Sequence, residues 1–221
     1  MSYQHQWLDG SRIELPVGKA VCVGRNYAAH ARELGNAVPE APILFIKPST
    51  AIVPLSPSFS IPNDRGACHH ETEIAVLIGK PMSKIDLADV PAAIAGYGLA
   101  LDLTLRDMQN QLKKQGYPWE VAKAFDGACP LSPFMRPEQL GDVSACEFSL
   151  NVNGERRQHG FSKDMITPVH ELIAYISQIF TLQAGDVVLT GTPEGVAPLA
   201  AGDKLVLAFT RLDVSFEAVV R

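Results

Sequence analysis

The sequence predicts an α+β fold that is mainly β, with few short helices. Turn-forming pairs such as Asp9-Gly10, Asn153-Gly154 and Gly202-Asp203 fall between short apolar runs. Such dense punctuation is typical of many short strands, and helical periodicity occurs in fewer segments. No internal repeat or low-complexity linker divides the 221 residues. We therefore expect residues 1–221 to form a single domain.

Eight apolar runs have the length and composition of strands. They are residues 20–24, 43–47, 73–78, 94–102, 146–152, 186–190, 204–209 and 214–219. The pair Asn153-Gly154 follows the fifth run, and both residues tolerate the positive φ that a tight type I′ turn requires. A hairpin is therefore predicted there.

Three segments have helical patterns: residues 26–34, which Gly35 closes, residues 105–116 and residues 168–180. Apolar residues form one stripe along the last of these. The form L-x-x-G-D occurs at residues 182–186 and 199–203, before two apolar runs. We interpret both as tight turns with a structural role that lead into adjacent strands.

Composition excludes several classes of protein. The net charge is −5, and no cluster of Lys and Arg offers a surface for nucleic acid. The longest apolar stretch, residues 90–101, is shorter than the roughly 20 residues that span a bilayer, so no membrane association is expected. No signal peptide is visible, and the four cysteines lack C-x-x-C spacing. A cytoplasmic location is the default interpretation.

Three carboxylates lie within or beside apolar, strand-like sequence. Glu71 and Glu73 are two residues apart, so the alternation of a strand puts them on one face, and Asp102 ends the run 94–102. Three converging charges would raise one another's pKa unless a cation joined them. Oxygen ligands without cysteine match Mg²⁺ or Mn²⁺. The alternative is an exposed strand face for the glutamates and a turn position for the aspartate.

Other common sites have weaker support. His69 and His70 precede Glu71 but lack H-E-x-x-H spacing, and adjacent strand residues face opposite ways, so a loop or core role is the simpler interpretation. Residues 191–195 lack the Gly-Lys-Ser/Thr ending of a phosphate loop. The G-x-S-x-G nucleophile motif is absent.

His30 and Glu33 are three residues apart on the predicted helix 26–34. Residues at this spacing share a helical face, so the carboxylate can fix the imidazole tautomer and raise its basicity. That arrangement would be a general base. A solvated surface pair is the alternative.

Four cations adjoin apolar segments rather than charge runs: Arg25, Lys47, Arg106 and Lys123. A divalent metal with three carboxylates carries a net charge of about −1, so an anionic substrate would need such cations to complete its site. Taken singly, each could instead be a surface residue with a buried stem.

An ordered series of motifs covers the chain from about residue 21 to its end. It comprises Gly24-Arg25-Asn26-Tyr27, Phe45-Ile46-Lys47-Pro48, His70-Glu71-Thr72-Glu73, residues 102–109, residues 122–126 and residues 185–196. This series resembles the fumarylacetoacetate hydrolase family, and the short length is similar to its acylpyruvase and oxaloacetate decarboxylase or tautomerase branch.

The resemblance implies a mixed β-sandwich roll, a homodimer, and Mg²⁺ or Mn²⁺ held by Glu71, Glu73 and Asp102. It implies that His30 and Glu33 activate water on a segment that orders over the substrate. Lys123 would stabilise developing negative charge, and Gln109 would orient substrate or water. Arg25, Arg106 and Thr192 match substrate-binding positions of the family.

The residues and the resemblance together indicate an enzyme for small 2-oxo acids that works through a metal-chelated enolate. Acylpyruvate hydrolysis, oxaloacetate tautomerisation and oxaloacetate decarboxylation share that species. The histidine and glutamate pair favours the first two, because decarboxylation needs no base. Isomerisation or decarboxylation of larger unsaturated dicarboxylates is an alternative. A catalytically silent metal-binding protein on the same scaffold is another.

Overall fold

The computed structural model describes residues 3–221. Within them, the strands are β1 Ala20–Gly24, β2 Ile43–Lys47, β3 Ile52–Pro54, β4 Ser58–Phe59, β5 Cys68–His70, β6 Thr72–Ile78, β7 Ile94–Leu101, β8 Thr104–Leu105, β9 Cys129–Leu131, β10 Glu147–Val152, β11 Glu155–Phe161, β12 Val187–Leu189, β13 Ala197–Pro198, β14 Lys204–Phe209 and β15 Val214–Val220. The α-helices are α1 Ala28–Glu33, α2 Arg106–Gln115, α3 Glu120–Lys123, α4 Pro137–Leu140 and α5 Val169–Ile179.

The strands form three sheets. A seven-stranded sheet has the order β2-β1-β12-β6-β7-β9-β3, a five-stranded sheet has the order β11-β10-β14-β15-β4, and β13-β5-β8 form a small third sheet. Most neighbours are antiparallel, but β1 and β12, β3 and β9, and β4 and β15 pair in parallel. The predicted mainly β roll with mixed pairing and few helices is confirmed.

The large sheet is buried on both faces. Strand β6 lies between β12 and β7, and all seven of its residues are buried. Its alternate side chains enter two different apolar clusters, with Ile74 and Val76 in one and Ala75 and Leu77 in the other. A strand covered on both sides needs a continuous apolar run, which is what residues 74–78 supply.

All eight predicted strands are present. The bounds of β1, β2 and β14 match the prediction, β12 is one residue shorter at both ends, and the others shift by one residue at one end. The run predicted to include Asp102 stops at Leu101, so the aspartate lies just beyond the strand. The hairpin is confirmed, because β10 pairs with β11 across Asn153 and Gly154, whose φ angles are 52° and 83°.

The three predicted helices are present but shorter. The segment 26–34 has regular helix only in α1, and α2 ends at Gln115, where Gly116 caps it with a φ of 69°. Strand β11 was predicted only as the second strand of the hairpin, because its sequence is mainly polar. The other strands and α-helices that the sequence did not predict have two to four residues each, and such segments are too short for a periodic pattern to develop. They are β3, β4, β5, β8, β9, β13, α3 and α4. No helix in residues 3–221 is long and apolar enough to cross a membrane.

Both L-x-x-G-D turns have the predicted structural role. In each, the aspartate accepts a hydrogen bond from the backbone N–H three residues earlier, Gln183 to Asp186 and Ala200 to Asp203, both at 2.8 Å. The prediction that they lead into adjacent strands is wrong. Strand β12 belongs to the seven-stranded sheet and β14 to the five-stranded sheet, because similar turns carry no information about strand partners.

Candidate active site

Sheet register brings the three predicted metal ligands together. Glu71 lies between β5 and β6, Glu73 is in β6, and Asp102 follows β7 directly. Strands β6 and β7 are antiparallel, so the start of one meets the end of the other, and Asp102 N donates to Glu71 O at 2.8 Å. One carboxylate oxygen from each residue lies within 4.8 Å of the other two. All three are at most 5% exposed, so the exposed-face alternative is wrong.

Two cations hold two of the carboxylates. The Lys123 Nζ donates to Glu71 Oε2 at 2.9 Å and to Asp102 Oδ2 at 2.6 Å. Arg106 Nη2 donates to Glu71 Oε1. Burial raises the pKa of Glu71, but Lys123 and Arg106 outweigh it and hold that pKa well below its usual range. Burial lowers the pKa of Lys123, but Asp102 and Glu71 outweigh that effect and raise it. Both groups therefore stay charged at neutral pH.

Lys47 does not line the cavity to which the substrate-binding prediction assigned it. Its side chain is fully buried, with Nζ 2.7 Å from Asp102 Oδ1. The ammonium donates to the carbonyl oxygens of Leu103, Lys123 and Ala128, so its three protons have acceptors within the protein. The burial follows from β2 pairing with β1 inside the large sheet. Lys47 therefore supports Asp102 and has no surface to offer a substrate.

Glu73 differs from the other two carboxylates. Its Oε2 accepts a hydrogen bond from Gly191 N at 2.6 Å, but no Lys, Arg or His nitrogen of residues 3–221 lies within 4.0 Å of it. Burial, followed by repulsion from Asp102 and Glu71, raises the pKa of Glu73 well above its usual range. A buried carboxylate that lacks a cationic partner fits a site for a hard divalent ion.

The predicted histidine and glutamate pair is formed on α1. His30 Nδ1 lies 3.3 Å from Glu33 Oε2, and Glu33 Oε1 accepts a hydrogen bond from Gly195 N at 3.0 Å. The imidazole is buried, and only the carboxylate is partly exposed. The surface-pair alternative is therefore wrong for His30. Glu33 also attaches the helix to the loop that carries Gly195.

One cavity of about 430 Å³, including its open mouth, collects nine of the eleven predicted site residues. Glu33 and Lys47 are the two that do not line it. Residues that the sequence did not single out also line it, and these are Leu34, Phe45, Lys113 and Trp119 with Val23 and Gly24. The predicted residues that line it are Arg25, His30, Glu71, Glu73, Asp102, Arg106, Gln109, Lys123 and Thr192. The sequence thus predicted the charged residues of the cavity but not most of its apolar lining.

Gln158 is a further residue that the sequence did not indicate. It is buried in β11, where its Nε2 donates to Thr192 Oγ1 at 2.8 Å. Its Oε1 accepts from Thr72 N at 2.9 Å and lies 3.0 Å from His70 Nδ1. Since that oxygen only accepts, the histidine proton is on Nδ1. His70 is therefore a core histidine, as predicted, and Gln158 positions Thr192.

Asn26 and Gly191 shape the loop above the carboxylates. The Asn26 side chain donates to Thr167 O and Thr190 O and accepts from Thr167 N. Gly191 has a φ of 93°, and a Cβ there would lie 2.7 Å from Asn26 Cβ. Only glycine suits both the dihedral angle and the close approach. These contacts give a physical reason for Asn26 in the motif Gly24-Arg25-Asn26-Tyr27 and for Gly191 in the motif of residues 185–196.

Arg25, predicted to bind substrate, has an unusual backbone. Its φ is 61°, in the left-handed region that non-glycine residues rarely adopt. Arg25 lines the cavity, and Asn26, the next residue, is held in place by three hydrogen bonds of its side chain. Backbone strain of this kind persists where the surrounding structure imposes it, often at binding sites.

The chain was matched to known proteins along nearly its whole length. The family described as fumarylacetoacetate (FAA) hydrolase C-terminal matches residues 19–219. Oxaloacetate tautomerase YcgM of Escherichia coli (strain K12) is 56% identical over 208 residues, which cover 94% of this chain and 95% of that protein.

Solved structures show the same relationship. The crystal structure of a protein from Yersinia pestis CO92 has a TM-score of 0.97 and 49% identity, covering 99% of this chain and all of that chain. Fumarylpyruvate hydrolase from Pseudomonas aeruginosa, in complex with Mn²⁺ and pyruvate, has a TM-score of 0.91 and 37% identity, covering 99% and 95%. The family match over residues 19–219 and the high identity to a relative along nearly the whole chain show that this chain belongs to the fumarylacetoacetate hydrolase family.

Proposed function

We propose that this protein catalyses the keto–enol tautomerisation of oxaloacetate, with Mg²⁺ or Mn²⁺ held by Glu71, Glu73 and Asp102. The observation that carries the proposal is one cavity that joins a buried carboxylate triad to a histidine and glutamate pair. The 56% identity to an oxaloacetate tautomerase, over nearly the full length of both chains, supports the reaction. The Mn²⁺ in the fumarylpyruvate hydrolase complex supports the class of metal.

The three carboxylates fit a hard divalent ion because they are close together and buried, and Glu73 lacks a cation of its own. When bound, such an ion would stabilise the negative charge that develops on the 2-oxo oxygen of the substrate. A 2-oxo acid is the matching substrate class, since its carboxylate and oxo oxygens can both face the ion.

The other cavity residues perform the remaining tasks in this proposal. Arg106 is fixed between Glu71 and Gln109, whose Oε1 accepts from Arg106 Nη1 at 2.7 Å, so its guanidinium is preorganised to bind the substrate carboxylate. Lys123 supplies a fixed positive charge beside the developing enolate. Glu33 accepts at His30 Nδ1, which leaves Nε2 as the basic atom that carries the proton. In the keto-to-enol direction Nε2 would take a proton from C3 and a proton would be delivered to the 2-oxo oxygen, and in the reverse direction the enol O–H proton would be lost and C3 would gain one.

Acylpyruvate hydrolysis is the second candidate, and the same pair of residues favours it. In that reaction His30 would take a proton from water, which attacks the distal carbonyl, and pyruvate enolate would leave. The fumarylpyruvate hydrolase structure with bound pyruvate supports this reaction on a closely similar fold. Decarboxylation of oxaloacetate is less favoured, because it gives His30 and Glu33 no task.

Two substrates distinguish the candidates. Purified protein with Mg²⁺ or Mn²⁺ would be incubated with enol-oxaloacetate and with acetylpyruvate, while enol absorbance and pyruvate release are followed separately. We expect enol loss without pyruvate release, and EDTA should abolish it. Pyruvate release from acetylpyruvate with no effect on the enol would refute tautomerisation in favour of hydrolysis.

His30→Ala tests the base and also the alternative of a catalytically silent protein. We expect kcat to fall by about 10²- to 10⁴-fold, the usual contribution of general base catalysis. Metal binding, measured by calorimetry, should be retained because His30 is not one of the three carboxylates. His159→Ala is the matched control, since His159 is exposed and pairs with Glu147 on the surface. Equal turnover in the two variants would show that His30 is not the base.

The homodimer and the cytoplasmic location expected from the sequence stay predictions. Light scattering after size-exclusion chromatography tests the first, and fractionation of cells tests the second.

A further inference from the structure

The cavity holds more positive charge than its own carboxylates neutralise. Arg25, Arg106, Lys113 and Lys123 line it, against the three carboxylates of the triad. Arg106 and Lys123 bind those carboxylates directly. In the part of the chain that the structure describes, Arg25 and Lys113 have no carboxylate oxygen within 4.0 Å. A bound divalent ion would increase this excess, so the cavity suits a substrate with two negative charges.

Lys113 lies on the same face of α2 as two residues already assigned to the site. Arg106, Gln109 and Lys113 are spaced by three and four residues, which is the repeat of one helical face, and all three line the cavity. Lys113 lies about 10.5 Å along the helix axis from Arg106. Side chains on a helix lean towards its N-terminus, so the long lysine side chain reaches back over the cavity. Lys113 therefore faces the cavity without contacting the carboxylates of the triad, none of which has an oxygen within 4.0 Å of its Nζ.

The surroundings of Lys113 favour an anion over its present partners. Its Nζ donates to Asn36 Oδ1 at 3.3 Å, a long hydrogen bond, and lies 5.9 Å from the centre of the Trp119 ring. Burial, followed by the nearby charges of Arg25 and Arg106, lowers the pKa of Lys113. A carboxylate between these cations would relieve both the desolvation and the repulsion.

We propose that Lys113 determines specificity by binding the distal carboxylate of a dianionic 2-oxo dicarboxylate. This inference rests on the proposed function, in which the metal and Arg106 take the 2-oxo acid end of the substrate. A substrate with a neutral acyl tail would leave Lys113 desolvated and unpaired. The residue therefore selects against neutral tails as well as for a second carboxylate.

The first test compares the enol of oxaloacetate with the enol of its C4 methyl ester, which lacks only the distal charge. Lys113→Met should lower kcat/KM for the diacid on the order of 10- to 100-fold, mostly through KM, with a much smaller loss for the ester. Lys113→Arg should recover most of the diacid activity. Lys114→Met is the matched control, because Lys114 is the exposed next residue on the same helix. Equal losses for diacid and ester in Lys113→Met would overturn the proposal.

A positioning role through Asn36 predicts a different result. If Lys113 only held the Asn36 segment, Asn36→Ala would reproduce the selective loss for the diacid. We expect instead that Asn36→Ala keeps the preference for diacid over ester, since it leaves the ammonium in place. A selective loss in Asn36→Ala would overturn the binding role.

Binding of unreactive ligands separates this proposal from the proposed function. Malate and lactate share a 2-hydroxy acid group, and only malate has a distal carboxylate. Calorimetry with the Mg²⁺-loaded protein should show that malate binds more tightly than lactate. In Lys113→Met, the ratio of the two dissociation constants should be about ten-fold smaller than in wild type. This outcome would support Lys113 even if the wild type failed to tautomerise oxaloacetate. The same malate preference in wild type and Lys113→Met would overturn it.

Discussion

Glu73→Gln should stabilise the metal-free protein, although it removes a proposed metal ligand. The carboxylate oxygens of Glu71, Glu73 and Asp102 lie within 4.8 Å of one another. Two unit charges at that distance would repel by about 3.5 kcal/mol at an effective dielectric constant of about 20. Burial and this repulsion raise the pKa of Glu73, so the metal-free protein must either carry the repulsion or take up a proton at neutral pH. Lys123, Arg106 and Lys47 cancel part of the repulsion, but none of them contacts Glu73. The neutral amide keeps an acceptor for Gly191 N, so we expect a net gain of about 1–3 kcal/mol.

Urea unfolding at neutral pH, in EDTA and in Mg²⁺, measures this effect. In EDTA the variant should unfold at higher urea than wild type. Saturating Mg²⁺ should stabilise wild type by about 2.7 kcal/mol at a hundred times its dissociation constant and stabilise Glu73→Gln far less. Glu217→Gln is the control, because Glu217 is exposed on β15 and should show no such crossover. Lower stability of Glu73→Gln in EDTA would refute the charge argument.

Two further predictions concern stability. Gly191→Ala combines a φ of 93° with a Cβ 2.7 Å from Asn26 Cβ, whereas Gly202→Ala has a φ of 92° with no atom within 4 Å. We expect urea unfolding to show a loss of about 1 kcal/mol for Gly202→Ala and about 1–3 kcal/mol more for Gly191→Ala, and equal losses would contradict the steric argument. His5 is fully buried, and burial lowers its pKa from 6.5, so the unfolded chain binds more protons below that pH. Its contribution to stability is present above pH 6.5 and is lost as pH falls through the folded pKa, by at most about 1.4 kcal/mol per pH unit. Urea unfolding measured at several pH values should show a smaller loss of stability on acidification in His5→Gln than in wild type, and equal losses would contradict this assignment.

The local sequence predicted the elements that carry the site. The apolar run 74–78 is long enough to indicate a buried strand, and the neighbouring carboxylates stand out against it. The spacing of His30 and Glu33 predicted their contact because both lie on one turn of helix. Very short strands such as β4 and β8 gave no such signal, because two residues cannot show a period.

Local sequence patterns could not predict contacts between residues that are far apart in the chain. Lys47 was predicted to bind substrate, yet the pairing of β2 within the large sheet buries it beside Asp102. Gln158 supports Thr192 from 34 residues away, and nothing in its own strand indicates that partner. Lys113 shares a helical face with Arg106 and Gln109, but only the cavity shows which face matters.

The amino-acid sequence alone establishes a mainly β fold, three carboxylates beside buried strands, and a histidine paired with a glutamate on one helix. Periodicity and charge are local properties, so they can be read from neighbouring residues. Only the three-dimensional structure shows which cations neutralise which carboxylates, and that Lys47 is buried beside Asp102 and does not line the cavity. These contacts depend on strand order and register, which bring together residues that are far apart in the chain. Burial matters as well, because an unpaired charge costs far more free energy in the protein interior than in water.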